Sequence, residues 1–436
     1  MTTTAPGDPD VRSDAPVVVG EEEAGGGDGG GVAPVVRRGR AVKKRRTRVV
    51  WLQAGATVLF AVLLVGLAWV GYQASRHITG GEAQVTDPKA PGYVAEVKPT
   101  TVDLVAVTGA DGKLVSALIV TAGDDGKGGS VSALPASVVA PSADGTQQVS
   151  LGQLMQEGGI DLLRQQLGTA MTFGFTSAET VPAETVAALA KLAGPIEISN
   201  VDNLVEPPTG PIAGSQDQPR EVRYPAGQMT LQPDQVVDFL GFAGLDESEV
   251  NQALRQQVVW DALLSKLKGK DAATLQGVTP TTSDADGGFT AILPGLLEGQ
   301  VSFDPVPLEA MNVPGTLFKV YRPDPAALPS YVSRTVPFPT SGTPGQRARV
   351  RLLNGTTQQQ AALLAAPKVV AAGGEISLLG NADSFDVQTT EVQYVVPEAK
   401  AAAEAIATAL GVKATKSPEA AGSIDVDVIV GRDRAS

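Results

Sequence analysis

Side chains able to do chemistry are scarce in this chain, and the scarcity excludes whole classes of mechanism. There is no cysteine, so thiolate catalysis, a disulfide framework and cysteine-ligated metal are all ruled out. The one histidine, His77, permits neither a multi-histidine zinc site nor a Ser-His-Asp triad. Acid pairs occur at Asp124-Asp125 and at Asp284 and Asp286, as in a cation site. Both lie among glycines in turn-forming sequence and read as solvated loops. Asn354, followed by Gly355-Thr356, reads as a turn residue rather than a ligand. The glycine run at 25–31 has no preceding strand and no following Lys-Ser/Thr pair, so it does not read as a phosphate-cradling loop.

The densest charge is Arg37, Arg38, Arg40, Lys43, Lys44, Arg45, Arg46 and Arg48, and it abuts a stretch from Val49 to Ser75 with no charged side chain. As a helix that stretch reaches roughly 40 Å, enough to cross a hydrocarbon core of about 30 Å with some tilt. Trp51 near its start and Trp69 and Tyr72 near its end suit the two interfaces. A cleaved signal would be shorter and closer to the N-terminus, so the span reads as a retained signal-anchor. The basic flank sets the topology: residues 1–48 in the cytoplasm, the bulk of the chain outside a cell membrane crossed once. The net charge of −13 argues against nucleic acid as a partner and suits a soluble exterior.

Patterning divides the rest. Residues 1–48, with Glu21-Glu22-Glu23 and many glycines, have little to bury and read as a disordered tail. Residues 76–99, punctuated by Gly80, Gly81, Pro88, Pro91 and Pro99, read as a stalk. From residue 100 apolar alternation begins, with a hairpin turn at Asp111-Gly112. Helices are expected over 151–172, 183–192, 232–241 and 247–268, with a strand at Ile196-Glu197-Ile198. This predicts a mixed sheet with helices packed on it over residues 100–335. Residues 336–346 are rich in Pro, Ser, Thr and Gly and read as a linker. Beyond it, 347–434 has a β-α-β-β-α-β order, a small α/β sandwich near the ferredoxin-like arrangement.

That last unit resembles the LytR C-terminal domain. The matching features are Val350-Arg351-Leu352-Leu353-Asn354-Gly355-Thr356, the Gly373-Gly374 turn, Gly380-Asn381-Ala382, and Val428-Ile429-Val430-Gly431-Arg432-Asp433. Residues 100–335 resemble the LytR-CpsA-Psr domain that often precedes it. The similarity rests on Glu157-Gly158-Gly159 within 154–168, on Leu189 to Ile198, on Pro225-Ala226-Gly227 to Phe239, and on Leu254-Arg255-Gln256-Gln257. The resemblance implies a cell-envelope protein that transfers glycopolymer from a polyprenyl-pyrophosphate carrier to peptidoglycan, using a divalent cation.

Such a transfer develops negative charge that cations already in place must meet. Here the sequence departs from the family. The stretch where an Arg-Asp pair is expected reads Ala133-Leu134-Pro135-Ala136-Ser137-Val138. The expected arginine pair falls on Phe239-Leu240-Gly241-Phe242, and the acid-to-arginine spacing on Glu249-Val250-Asn251-Gln252. What remains is Asp103 and Arg255, and each also reads as an ordinary structural residue. Losing one charge-stabilising donor costs about 10²–10³ in rate, so losing several argues against efficient transfer. Phe173, Phe175, Phe239 and Phe242, with Trp260, could line a lipid slot like the family's, or simply fill a core.

The expectation is a non-catalytic envelope protein, a pseudoenzyme without a cofactor, that binds cell-wall polymer, a polyprenyl-linked precursor or a wall-assembly partner. The alternative is an active phosphotransferase using Mg²⁺. It requires arginines to converge on Asp103, from among Arg164, Arg220, Arg223 and Arg255. A regulator working through the 1–48 tail is a third reading, and that tail has no DNA-binding pattern.

Overall fold

Continuous apolar runs build the first sheet. Strand β1 (Val94–Glu96) stands apart from it; β2 (Val102–Thr108) and β3 (Leu114–Ala122) form the expected hairpin, and β4 (Gly129–Pro135) returns beside β3. The turn closes with Gly109 N donating to Lys113 O at 2.9 Å, and Gly112 takes the left-handed conformation at φ +75°. In this computed structural model the described residues are 85–123, 125–207, 221–278, 289–312, 319–418 and 422–435. The expected tail and the 49–75 span lie outside them. Among the described residues no helix is long and apolar enough to cross a membrane.

A short hairpin, β5 (Val139–Pro141) and β6 (Gln148–Ser150), leads into α1 (Leu151–Met171). Ser150 caps this helix by accepting from Gln153 N at 3.1 Å. The expected single helix is broken at Gly158-Gly159, where φ is −143° and then +65°. A Cβ would strain the second position, and the paired glycines allow the break. Strand β7 (Ser177–Pro182) then pairs with β2 in parallel, ahead of α2 (Ala183–Ala193). Two small ribbons follow, β8 (Ile196–Asn200) with β11 (Gly227–Leu231) and β9 (Leu204–Val205) with β10 (Val222–Tyr224).

Next come α3 (Val236–Gly241), α4 (Glu249–Leu267), α5 (Ala272–Val278) and α6 (Phe289–Glu298). Strand β12 (Val301–Ser302) closes the main sheet, in the order β12-β4-β3-β2-β7. The ribbon β13 (Leu308–Met311) and β14 (Val320–Pro323) precedes α7 (Leu328–Thr335). The mixed sheet with packed helices expected for residues 100–335 is what forms.

Both faces of this sheet are covered, which is why β2 is buried along its whole length. Alternate residues feed separate cores. Val102, Leu104 and Ala106 pack with Leu154, Leu163 and Phe173, whereas Val105 and Val107 pack with Phe239, Val259 and Trp260.

The C-terminal unit comprises β15 (Ala348–Asn354), α8 (Ala361–Ala371), β16 (Gly374–Asn381), β17 (Glu391–Tyr394), α9 (Lys400–Leu410), β18 (Ala414–Lys416) and β19 (Val426–Val430). It forms a six-stranded sheet in the order β1-β16-β15-β19-β17-β18. The ferredoxin-like expectation needs correction. In that arrangement the β-α-β unit is split, whereas here β15 and β16 pair directly in parallel.

Two expected connectors are also corrected. The stalk reading of 76–99 fails at its described end, because Val94–Glu96 is the edge strand of the C-terminal sheet, antiparallel to β16. Gly380 makes that approach possible: a Cβ there would stand 2.0 Å from the Tyr93 carbonyl oxygen. Nor is 336–346 a free linker. Val336 is fully buried, Gly174 N donates to Thr340 O at 2.8 Å, and Ser341 donates from both its N and its Oγ to Glu375. Thr100 and Phe338 close the base of the first domain by exchanging hydrogen bonds of 2.9 and 3.0 Å. The first domain is therefore an insertion between β1 and the remainder of the C-terminal sheet. One hydrophobic core runs continuously through both.

Candidate functional site

Asp103 lies near the start of β2, on the face that carries Val105 and Val107. It is 1% exposed, and its Oδ1 accepts from Ser177 Oγ at 2.5 Å. Its Oδ2 is buried without a partner, and burial pushes the carboxyl above its ordinary range despite the Ser177 bond.

Arg255, on α4, is equally enclosed. Nε donates to Glu247 Oε1 at 2.6 Å and Nη2 to Glu247 Oε2 at 3.0 Å. Two further N–H groups turn to backbone, Nη2 to Phe242 O at 2.5 Å and Nη1 to Phe239 O. The guanidinium also lies 4.9 Å over the Phe239 ring. This is a forked ion pair that staples α3 to α4, with four of the five guanidinium N–H groups engaged.

The two residues are not brought together. Asp103 pairs with Val120 at one end of β3, whereas Gln256, next to Arg255, donates to Val115 O near the other end. Five residues of strand separate these ends, on the order of 17 Å. The other candidate arginines are engaged elsewhere. Arg164 faces Asp161 at 3.7 Å, and Arg223 pairs with Glu206 at 3.0 Å and Asp238 at 2.7 Å. Arg220 lies outside the described residues. Among the described residues no three carboxylate or histidine side chains group as a metal site would need. With Asp103 bonded to Ser177 alone, the residues present do not fit a divalent cation there.

The lipid-slot reading of the phenylalanines is corrected too. Phe173 is buried in the core on one face of the sheet and Phe239 in the core on the other. Phe173 meets Phe175 edge-on at 5.4 Å; Phe239 and Phe242 both meet Tyr224, at 4.7 and 5.7 Å. These are two separate packing clusters, and Trp260 packs edge-on against Phe289 in the second core. Asp125 accepts from Lys127 N at 2.9 Å, an exposed turn, while Asp124, Asp284 and Asp286 lie outside the described residues. Asn354 fixes its own turn by accepting from Thr356 N at 3.0 Å and Thr356 Oγ1 at 2.9 Å.

What the sequence reading missed is a cavity of about 430 Å³ where β1, the base of the inserted domain and the C-terminal unit meet. Tyr93 and Val97 come from the β1 segment, Thr101 and Phe338 from the base, and Leu363 and Asn381 from the C-terminal unit. That volume falls within the range of about 300–1,000 Å³ typical of small-molecule sites. The available signal was the alternation Tyr93-Val94-Ala95-Glu96-Val97-Lys98, a strand pattern hidden among prolines.

Residues 347–433 match the family described as LytR cell envelope-related transcriptional attenuator. The chain therefore carries a LytR C-terminal domain, in a mixed α/β protein. No curated protein matches the chain. Among solved structures, it is similar to a transcriptional regulator from Enterococcus faecalis, at 14% identity and a TM-score of 0.40, over 54% of this chain and 87% of that one. It is similar to B. subtilis TagV at 12% identity and a TM-score of 0.40, over 53% of this chain and 94% of that one. TagT bound to LIIa-WTA is matched at 13% identity and a TM-score of 0.40, over 58% of this chain and 93% of that one.

Proposed function

We propose that this is a cell-envelope protein, held by a span at 49–75 with its bulk outside the membrane, that binds wall material without transferring it. Its ligand on this reading is cell-wall polymer, a polyprenyl-linked precursor or a wall-assembly partner. The LytR C-terminal domain supports an envelope role, and the resemblance of 100–335 to the LytR-CpsA-Psr domain supports a link to wall glycopolymer. The observation that carries the non-catalytic reading is Arg255. Four of its five N–H donors are spent on Glu247 and two backbone carbonyls, at the far end of the sheet from Asp103. Transfer requires preorganised cations at the developing charge, and among the described residues no candidate arginine meets Asp103.

Co-sedimentation of the full chain, in detergent, with purified cell-wall sacculi tests the binding half of this reading. Saturable pelleting is expected. A chain that stays in the supernatant at all wall concentrations would contradict it.

A further inference from the structure

The seam cavity carries a ligand assignment, and we propose that it binds a net-neutral saccharide segment. This rests on the wall-binding reading above and narrows it to one chemistry.

The wall of the cavity is mixed in a specific way. Tyr93, Val97, Phe338 and Leu363 give it an apolar side, and Leu363 is 49% exposed, a large aliphatic surface left open to the cavity. Set among these are polar groups with hydrogen-bonding capacity to spare. The side chains of Gln359 and Thr101 have no partner among the described residues. Asn381 spends its amide N–H groups on Pro88 O at 3.0 Å and Ala90 O at 2.8 Å, which leaves its side-chain oxygen as an acceptor. The charged residues of the lining are one acid, Glu96, and one base, Lys98, which cancel.

These features discriminate between ligand classes. A phosphate-rich polymer brings repeated negative charge, and a single lysine offset by a glutamate provides no net compensation. A plain hydrocarbon chain would cover Leu363 but strip water from Gln359, Thr101 and the Asn381 oxygen without replacing their hydrogen bonds. An uncharged sugar ring satisfies both demands. Its C–H face lies on aliphatic and aromatic surface, and its hydroxyl and N-acyl groups meet amide and hydroxyl side chains at the edge. Because the lining comes from both domains, such a ligand bridges them.

The test is calorimetric titration of the full chain in detergent with three probes: chitotetraose, polyglycerol phosphate and farnesyl diphosphate. Chitotetraose is expected to bind, and Gln359→Ala to weaken it by about tenfold, equivalent to about 1.4 kcal/mol. Gln359 is exposed, so an unchanged melting temperature separates lost binding from lost folding. Leu363→Ala provides a second, apolar contact to remove, with a loss expected there as well. No chitotetraose binding, or binding that neither variant changes, overturns the assignment. Binding of an anionic probe instead, abolished by Lys98→Ala, also overturns it. In each of these cases retained co-sedimentation with sacculi leaves the broader reading standing, whereas loss of both removes the two together.

Discussion

Arg255 and Glu247 form a forked ion pair of 2.6 and 3.0 Å, with side chains only 5% and 4% exposed. A buried pair of this kind is a poor source of net stability but a costly thing to break, because either partner alone is an uncompensated buried charge. Glu247→Ala should therefore lower stability by about 3–5 kcal/mol in urea unfolding. Glu247→Leu combined with Arg255→Met should cost less than Glu247→Ala alone. A double variant at least as damaged as the single would contradict a purely structural role for the pair.

Asp103 makes a pH prediction. Its carboxyl titrates above the ordinary value because burial disfavours the charge, so between the unfolded and folded values the folded state holds the extra proton. Stability is then greatest below the unfolded value of 3.8 and declines as pH rises through the folded one. Asp103→Asn should flatten that decline and raise stability at neutral pH, because the amide has no charge to bury. Melting temperatures across the acid range check it, and a steeper slope in the variant would refute the assignment.

The edge strand predicts a dependence on Gly380. A methyl group there collides with the Tyr93 carbonyl, so Gly380→Ala should push β1 off β16 at a cost of about 1–3 kcal/mol. Hydrogen exchange at Val94–Glu96 should quicken more than at β19, which pairs on the opposite side of β15. Uniform loss of protection across the sheet would argue against a local detachment.

Arg347 locks the two domains at the end of α1. It is 5% exposed and donates to Thr172 O at 3.0 Å, to Gly374 O at 3.1 Å and to Val370 O, while Gln346 Nε2 donates to Thr169 O at 2.9 Å. Lysine cannot reproduce this planar fork. Arg347→Lys should therefore expose residues 336–346 to limited proteolysis almost as fully as Arg347→Ala. Full protection in the lysine variant would show that charge alone suffices.

Much of this fold was legible in local pattern. The Asp111-Gly112 hairpin, the helices of 151–172 and 247–268 and the strand–helix order after 347 follow from periodicity and turn chemistry, which act over a few residues. What escaped was long-range. The pairing of Val94 with Gly380 links positions far apart in the chain, and prolines around the strand pointed toward a stalk. The same holds for Arg255. Its helix was readable, but its enclosure by Glu247, Phe239 O and Phe242 O depends on how α3 folds back on α4. The seam cavity needed both the missed strand and the packed 336–346 segment, so no local signal could assemble it.

Binding without transfer distinguishes the proposed role from that of a glycopolymer transferase. The most direct measurement is release of polyprenyl phosphate from a short polyprenyl-pyrophosphate-linked saccharide by the full chain, with magnesium and a peptidoglycan acceptor. No release above the uncatalysed background is expected, in the native chain or in Glu247→Gln, which loosens the hold on Arg255. Magnesium-dependent release by the native chain, lost in Arg255→Lys while its fold is retained, would contradict it.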